Sequence, residues 1–269
     1  MPRSIIIPDD RRLFTASLRR SLMRYLNSCD RHIQRYEVQP ADLKTLANPS
    51  ILNADKTALL ILPGINGDTS PYPEYLDKAW REQLGRAVYN GMNVLGLCAG
   101  AYYLSHQLIY KKAENLTLMR SNYSALFNGR AQGPLPAFAR ADHAPDDPYD
   151  LSDIATVCIK VLTHSGQTSY PMTACYGNGP AFLHTEDSVC KILARYRDID
   201  GIPPATISIT HGGGEVILSG IHTEIGLEDM RAYYAYKGDA RTGEDVDRLQ
   251  ESEDMRKHFQ ARLWQRLCP

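Results

Sequence analysis

Apolar positions along the chain follow two regimes. Residues 4–8, 58–62 and 94–97 are short runs in which almost every side chain is apolar, the pattern of strands buried on both faces. Between them apolar residues recur at the spacing of one helix face. Residues 9–27 place Phe14, Leu18, Leu22 and Leu26 on one stripe, and residues 73–90 do the same with Leu76, Trp80, Leu84 and Val88. Residues 32–39 add a further strand. Strands alternating with helices predict an α/β fold, a mostly parallel sheet with helices on both faces and function at the carboxyl ends of its strands.

The second half changes character. Residues 128–153 turn to Gly, Pro, Ala and Asp, which reads as a surface excursion. Strand-like runs follow at 154–164, 189–196 and 205–210, and the last turns through Gly212, Gly213 and Gly214 into 216–219, which predicts an antiparallel extension. Residues 244–267 read as one charged amphipathic helix that docks through Phe259, Leu263 and Leu267. One domain over 1–269 is expected, with a core at 1–127 and 154–230, the excursion at 128–153 and the closing helix at 244–267.

One corner of this pattern carries chemistry. The run 94–97 ends on Cys98 with Gly96 and Gly100 on either side, and 99–108 reads as helix. A thiol there sits on a sharp strand-to-helix turn, the geometry of a nucleophile elbow. A helix N-terminus carries roughly half a positive charge, which favours thiolate over thiol. The alternative is a buried cysteine acting as a small apolar side chain, the reading that suits Cys29, Cys158, Cys175, Cys190 and Cys268.

A cysteine nucleophile needs an imidazole within hydrogen-bond reach and a third group to orient it. The run 216–221 ends in glycine and an isoleucine, then presents His222, with Glu224 two residues on. In an extended chain those two project to one side, so Cys98, His222 and Glu224 form the candidate triad. His211, beside the triple glycine, is the rival base. His32, His106, His143, His164, His184 and His258 have no comparable setting.

Charge narrows the partners. Thirty basic and 31 acidic side chains leave a formal net charge of -1, which offers no general field for nucleic acid or an anionic membrane. The first apolar run is too short for a signal peptide, and no stretch approaches the roughly 20 apolar residues of a membrane span. Six cysteines without a C-x-x-C spacing read as reduced thiols, with no metal site and no cofactor. A cytoplasmic protein is expected.

The G-x-C-x-G of Gly96–Gly100 and the late Gly-x-His-x-Glu of Gly220–Glu224 resemble the class I glutamine amidotransferase-like superfamily. That group usually has proline where this chain has Thr223, a position that shapes the turn. Within it, the segments 62–64, 96–103, 126–134, 176–180 and 218–222, in that order, resemble the domain at the N-terminus of eukaryotic biotin protein ligases and its stand-alone bacterial counterparts. The resemblance implies a flavodoxin-like sheet and Cys98, His222 and Glu224 as catalytic groups. It also implies an oxyanion hole from the backbone of Gly64, Ile65 and Ala99. Tyr102 and Asn178 are candidate substrate contacts, since tyrosine joins apolar area to one polar tip. No Gly-Arg-Gly-Arg-like segment occurs, so the chain is not read as a ligase. It is read as a cysteine-dependent amide hydrolase or amidotransferase-like enzyme acting on a small-molecule or peptide carboxamide, with room for a separate protein partner. The alternative is a non-catalytic metabolite-binding or regulatory module on the same fold.

Overall fold

The computed structural model describes every residue except 1, 11–12, 14, 29–34, 66–68, 114–115, 123, 139–154, 163–168, 185–189, 198 and 238–241. Phe14, Cys29, His32, His143, His164, most of the expected excursion at 128–153, and the outer ends of the expected strands at 32–39, 154–164 and 189–196 lie outside the described residues.

The continuous apolar runs become strands of one large sheet. These are β1 (Arg3–Pro8), β2 (Tyr36–Ala41), β3 (Thr57–Leu62) and β4 (Asn93–Leu97). The later strands are β5 (Ser105–Ala113), β6 (Leu116–Ser121), β7 (Phe127–Gly133), β8 (Ala155–Leu162), β9 (Ser169–Tyr176), β10 (Ala181–His184), β11 (Lys191–Tyr196), β12 (Pro204–His211) and β13 (Gly214–Ser219). Nine of them form a sheet in the order β2-β1-β3-β4-β13-β12-β11-β8-β9. The half from β2 to β13 is parallel, and the half from β13 to β9 is antiparallel. The expected parallel sheet with an antiparallel extension is thus one continuous structure.

Alternate residues of the buried strands feed two cores. Ile5, Ile7, Leu59, Ile61, Leu95 and Leu97 face α1 (Ala16–Ser28) and the C-terminal helix Glu253–Leu267, which contribute Leu18, Leu22, Phe259, Leu263 and Trp264. Ile6, Leu60, Leu62 and Val94 face the other side, against α2 (Leu43–Leu46), α3 (Tyr72–Tyr75) and α4 (Lys78–Tyr89), with Trp80, Leu84 and Val88 at the centre. A strand covered on both faces has no polar side to present, which is why these runs do not alternate.

Several expected elements are cut differently. Helix α1 begins at Ala16, not at residue 9, because Leu13 first makes a bridge to Ile65 beside the strand ends. The helix expected over 73–90 is two helices: Leu76 is extended, and Asp77 caps α4 by accepting from the Trp80 amide at 2.8 Å. Aspartate is stronger as a cap than inside a helix. The helix expected over 99–108 stops early, so that α5 is only Ala99–Tyr103. Ser105 then opens β5, and its hydroxyl donates to the Ala101 carbonyl at 2.8 Å.

Strand β5 belongs to a second, four-stranded sheet, β10-β7-β5-β6, which the sequence pattern did not predict. Its strand β7 occupies the start of the expected excursion. Phe127, Gly129, Ala131 and Gly133 point inward in strict alternation with exposed Asn128, Arg130 and Gln132. Three of those four inward residues are Gly or Ala, so composition conceals the period. Gly129 is required there, since a Cβ would stand 2.2 Å from the Phe127 ring. The C-terminal stretch is also two helices after α6 (Leu227–Lys237), namely α7 (Thr242–Glu251) and α8 (Glu253–Leu267), parted at Ser252. Phe259, Leu263 and Leu267 are buried in the core as the docking reading requires.

Candidate active site

The elbow is built from three close approaches. Cys98 takes φ 46°, ψ -105° between β4 and α5, a left-handed backbone that a non-glycine residue adopts only under constraint. Its amide donates to the Ser219 carbonyl at 2.8 Å, so the turn is pinned to the end of β13. A Cβ on Gly100 would lie 2.0 Å from the Leu62 carbonyl oxygen, and one on Gly96 would lie 3.0 Å from the Leu104 and Leu218 side chains. Gly100 is therefore a steric necessity, and Gly96 sits in tight contact that a side chain would crowd.

The chain after β13 brings the base to this corner. His222 forms a bridge with Cys175 of β9, its amide donating to the Cys175 carbonyl at 2.8 Å. Thr223 and Glu224 then lie in a turn, not in the extended geometry that the spacing suggests. The turn still joins the pair: His222 Nδ1 and Glu224 Oε1 are 2.7 Å apart, and both side chains are about 98–99 % buried. The imidazole also interacts with the Cys98 side chain. Burial by itself favours a neutral ring, but the Glu224 carboxylate and the Cys98 thiol outweigh it and hold the His222 pKa up at about 10. Thiol, imidazole and carboxylate, read separately from the sequence, are in contact in series.

On its other side the Cys98 sulfur meets the Gly177 carbonyl oxygen at 3.2 Å. That carbonyl begins a short segment whose next three carbonyls each receive a tyrosine hydroxyl. Tyr102 donates to Asn178 at 3.1 Å, Tyr176 to Gly179 at 3.0 Å and Tyr196 to Pro180 at 3.0 Å. Asn178 supplies the positive φ of 57° that bends the segment, and Gly179 and Gly220 meet with no room for a side chain on either. Burial first, with the nearby Cys98 adding to it, raises the pKa of Tyr72, Tyr176 and Tyr196. Burial, Tyr176 and Cys98 do the same for Tyr102. These phenols are protonated donors around the thiol.

The remaining candidates lie in several parts of the fold. Ala99 is the first residue of α5 and is buried. Gly64 is buried two residues after β3, and Ile65 is half-buried and bridged to Leu13. Residues 66–67 of the same loop lie outside the described residues. Tyr102 spends its hydroxyl on Asn178, and its neighbour Tyr103 packs against Tyr72 and Trp80 while donating to the Leu76 carbonyl. His211 is exposed and stacks edge-on with Tyr89 at the hairpin end of β12. Burial raises the Cys268 thiol to about 12, the behaviour of a packed side chain. The sequence offers Tyr176, with Asn178, as a pocket residue, whereas Gly177, Tyr196 and Arg256 carry no such mark. The Gly177-Asn178-Gly179 turn was the one available signal, since a backbone carbonyl leaves no residue type to recognise.

Among the described residues no group of three His, Cys, Asp or Glu side chains is placed to hold a metal, and no helix is long and apolar enough to cross a membrane.

Known proteins show the same arrangement of chain. A glutamine amidotransferase from Thermotoga maritima superposes with a TM-score of 0.55 over 99 % of each chain at 11 % identity. A second glutamine amidotransferase superposes with a TM-score of 0.50 over 87 % of this chain and all of its own, at 16 % identity. At that identity the likeness concerns the fold alone. In sequence, the chain is 32 % identical over 177 residues to a biotin–protein ligase of Schizosaccharomyces pombe, covering 64 % of this chain and 26 % of that one. It is 31 % identical over 174 residues to an uncharacterized protein of Chlamydia muridarum, covering 63 % and 61 %. The chain thus spans about a quarter and three fifths of these two relatives. Residues 15–268 match the family described as biotin-protein ligase, N terminal, and with nearly the whole chain inside that match, the protein belongs to this family.

Proposed function

We propose that the chain is a cysteine-dependent amide hydrolase or amidotransferase-like enzyme, with Cys98 as nucleophile, His222 as base and acid, and Glu224 as the group that orients His222. The observation that carries this reading is the unbroken contact from thiol to imidazole to carboxylate. In the reaction the Cys98 sulfur, its proton already held by His222, attacks a carboxamide carbon. Negative charge develops on the carbonyl oxygen, where each N–H donor among Gly64, Ile65 and Ala99 would supply about 3–4 kcal/mol. His222 returns the proton to the nitrogen as the C–N bond breaks and ammonia leaves. Water then cleaves the thioester to a carboxylic acid and restores the thiol. The substrate is a small-molecule or peptide carboxamide, and a separate protein is the natural acceptor of the ammonia, in the cytoplasm.

A second reading, a binding or regulatory module without chemistry, draws on the Gly177 carbonyl 3.2 Å from the sulfur. That carbonyl accepts from the thiol, which makes the side chain a structural donor. The two readings separate on ammonia release from glutamine, asparagine, biotinamide and amidated peptides by wild type and Cys98→Ala. Release that vanishes in the variant supports the enzyme. Silence from both, together with a Cys98 that iodoacetamide alkylates no faster than Cys268, refutes it and leaves the module.

A further inference from the structure

Arginine is almost never fully buried unless its charge is paired, yet Arg256 of α8 is 2 % exposed. It is held from one side by Glu253, which accepts from Nε at 3.0 Å and from Nη2 at 2.8 Å. Its remaining nitrogen, Nη1, donates to the carbonyl of Thr223, the residue between His222 and Glu224. The approach is built into the chain on both sides. A Cβ on Gly226 would stand 2.8 Å from Nη2, so a glycine here lets the guanidinium enter without displacement. The Gly226 amide, in turn, is taken by Asp229 at 2.9 Å.

We infer that Arg256 is a positioning residue for the candidate active site, its buried guanidinium holding the Thr223 carbonyl so that the turn presents Glu224 to His222 and His222 to Cys98. The inference rests on the reading of Cys98, His222 and Glu224 given above. A turn of this kind needs an external restraint, because Thr223 leaves φ free where a proline would fix it. One end of the segment is anchored by the His222 amide on Cys175, and Arg256 supplies the anchor one residue later. The C-terminal helix is then part of the site and not only a cover for the core.

The titratable groups that face His222 are Cys98 from the elbow and Glu224 from its own turn. Arg256 and Glu253 approach from α8 behind Thr223, and Tyr72, Tyr102, Tyr176 and Tyr196, from α3, α5, β9 and β11, interact electrostatically with Cys98. Loosening the turn separates the carboxylate from the ring, so the imidazole gives up its proton at lower pH.

The test uses the full chain as wild type, Arg256→Lys, Glu253→Gln, His222→Ala and Leu263→Ala. The last removes a buried apolar side chain of the same helix, 5 % exposed, and serves as a control for helix docking. Three quantities are read: the His222 titration by NMR, the pH profile of Cys98 alkylation by iodoacetamide, and the melting temperature. Arg256→Lys is expected to lower the His222 midpoint and to slow Cys98 alkylation at neutral pH by about tenfold or more, as small misplacements of reacting groups do. Leu263→Ala is expected to melt lower with both titrations unmoved. Arg256→Lys that titrates like wild type, or Leu263→Ala that shifts as far, overturns the inference. If Arg256→Lys does not fold, Glu253→Gln decides: a shift in the same direction supports the inference and none overturns it. Cys98 alkylation that ignores His222→Ala refutes the underlying triad, whereas dependence on His222 with Arg256→Lys unmoved refutes the role of Arg256 alone.

Discussion

Gly100→Ala is the sharpest perturbation of the elbow. The added methyl would stand 2.0 Å from the Leu62 carbonyl oxygen and 2.8 Å from its carbon, so α5 and the end of β3 must part by about 1.4 Å to reach an ordinary contact of 3.4 Å. Neither side gives easily. The obstacle is backbone, and β3 is paired on both edges, with β1 and β4. Overpacking of this kind costs about 1–3 kcal/mol, and a backbone obstacle puts this one near the top of that range. The functional loss should exceed the stability loss. A shift of that size moves Cys98 relative to His222 and to the Gly64 loop, and a misplacement of about 1 Å costs on the order of 100-fold in rate. The assay is Cys98 alkylation and amide cleavage alongside thermal melting, with Gly85→Ala as the partner variant. Gly85 lies inside α4 with nothing within 4 Å of its Cβ position, so alanine there should gain roughly 0.5–1 kcal/mol. A Gly100→Ala protein that melts and alkylates like wild type would refute the account of the elbow.

Two further outcomes test the polar interior. Because the His222 pKa is raised to about 10, its pairing stabilises the fold fully below the unfolded value of about 6.5 and less as pH rises through 10. Urea unfolding of wild type and Glu224→Gln should therefore differ most near pH 6 and converge by about pH 10.5, and a pH-independent difference would contradict the pairing. The Tyr176 hydroxyl both donates to Gly179 at 3.0 Å and accepts from the Leu135 amide at 2.7 Å, while that of Tyr196 donates to Pro180. Each orphaned buried group costs about 1–3 kcal/mol. Tyr176→Phe should then destabilise about twice as much as Tyr196→Phe in denaturant melts, and equal losses would count against the clamped-carbonyl description.

Local patterns encode one part of this protein. Unbroken apolar runs identify β1, β3 and β4 because a strand covered on both faces has no polar side. The glycines about Cys98 announce the elbow because close approach there crowds or excludes a side chain. The pairing of His222 with Glu224 is legible from two residues of separation, although a turn, and not an extended strand, brings them together. The tertiary structure decided the rest. Residues 105–108 join a sheet instead of prolonging a helix because β7 lies alongside to pair with them, and that partner is distant in sequence and disguised by Gly129, Ala131 and Gly133. The Gly177 carbonyl reaches Cys98 through backbone alone, which carries no residue signature. Arg256 looks like one more solvated charge on an amphipathic helix until the fold seals it against Thr223. Local composition sets what each segment prefers, but which buried polar groups meet depends on contacts between segments far apart in the chain, and those form only when the chain closes on itself.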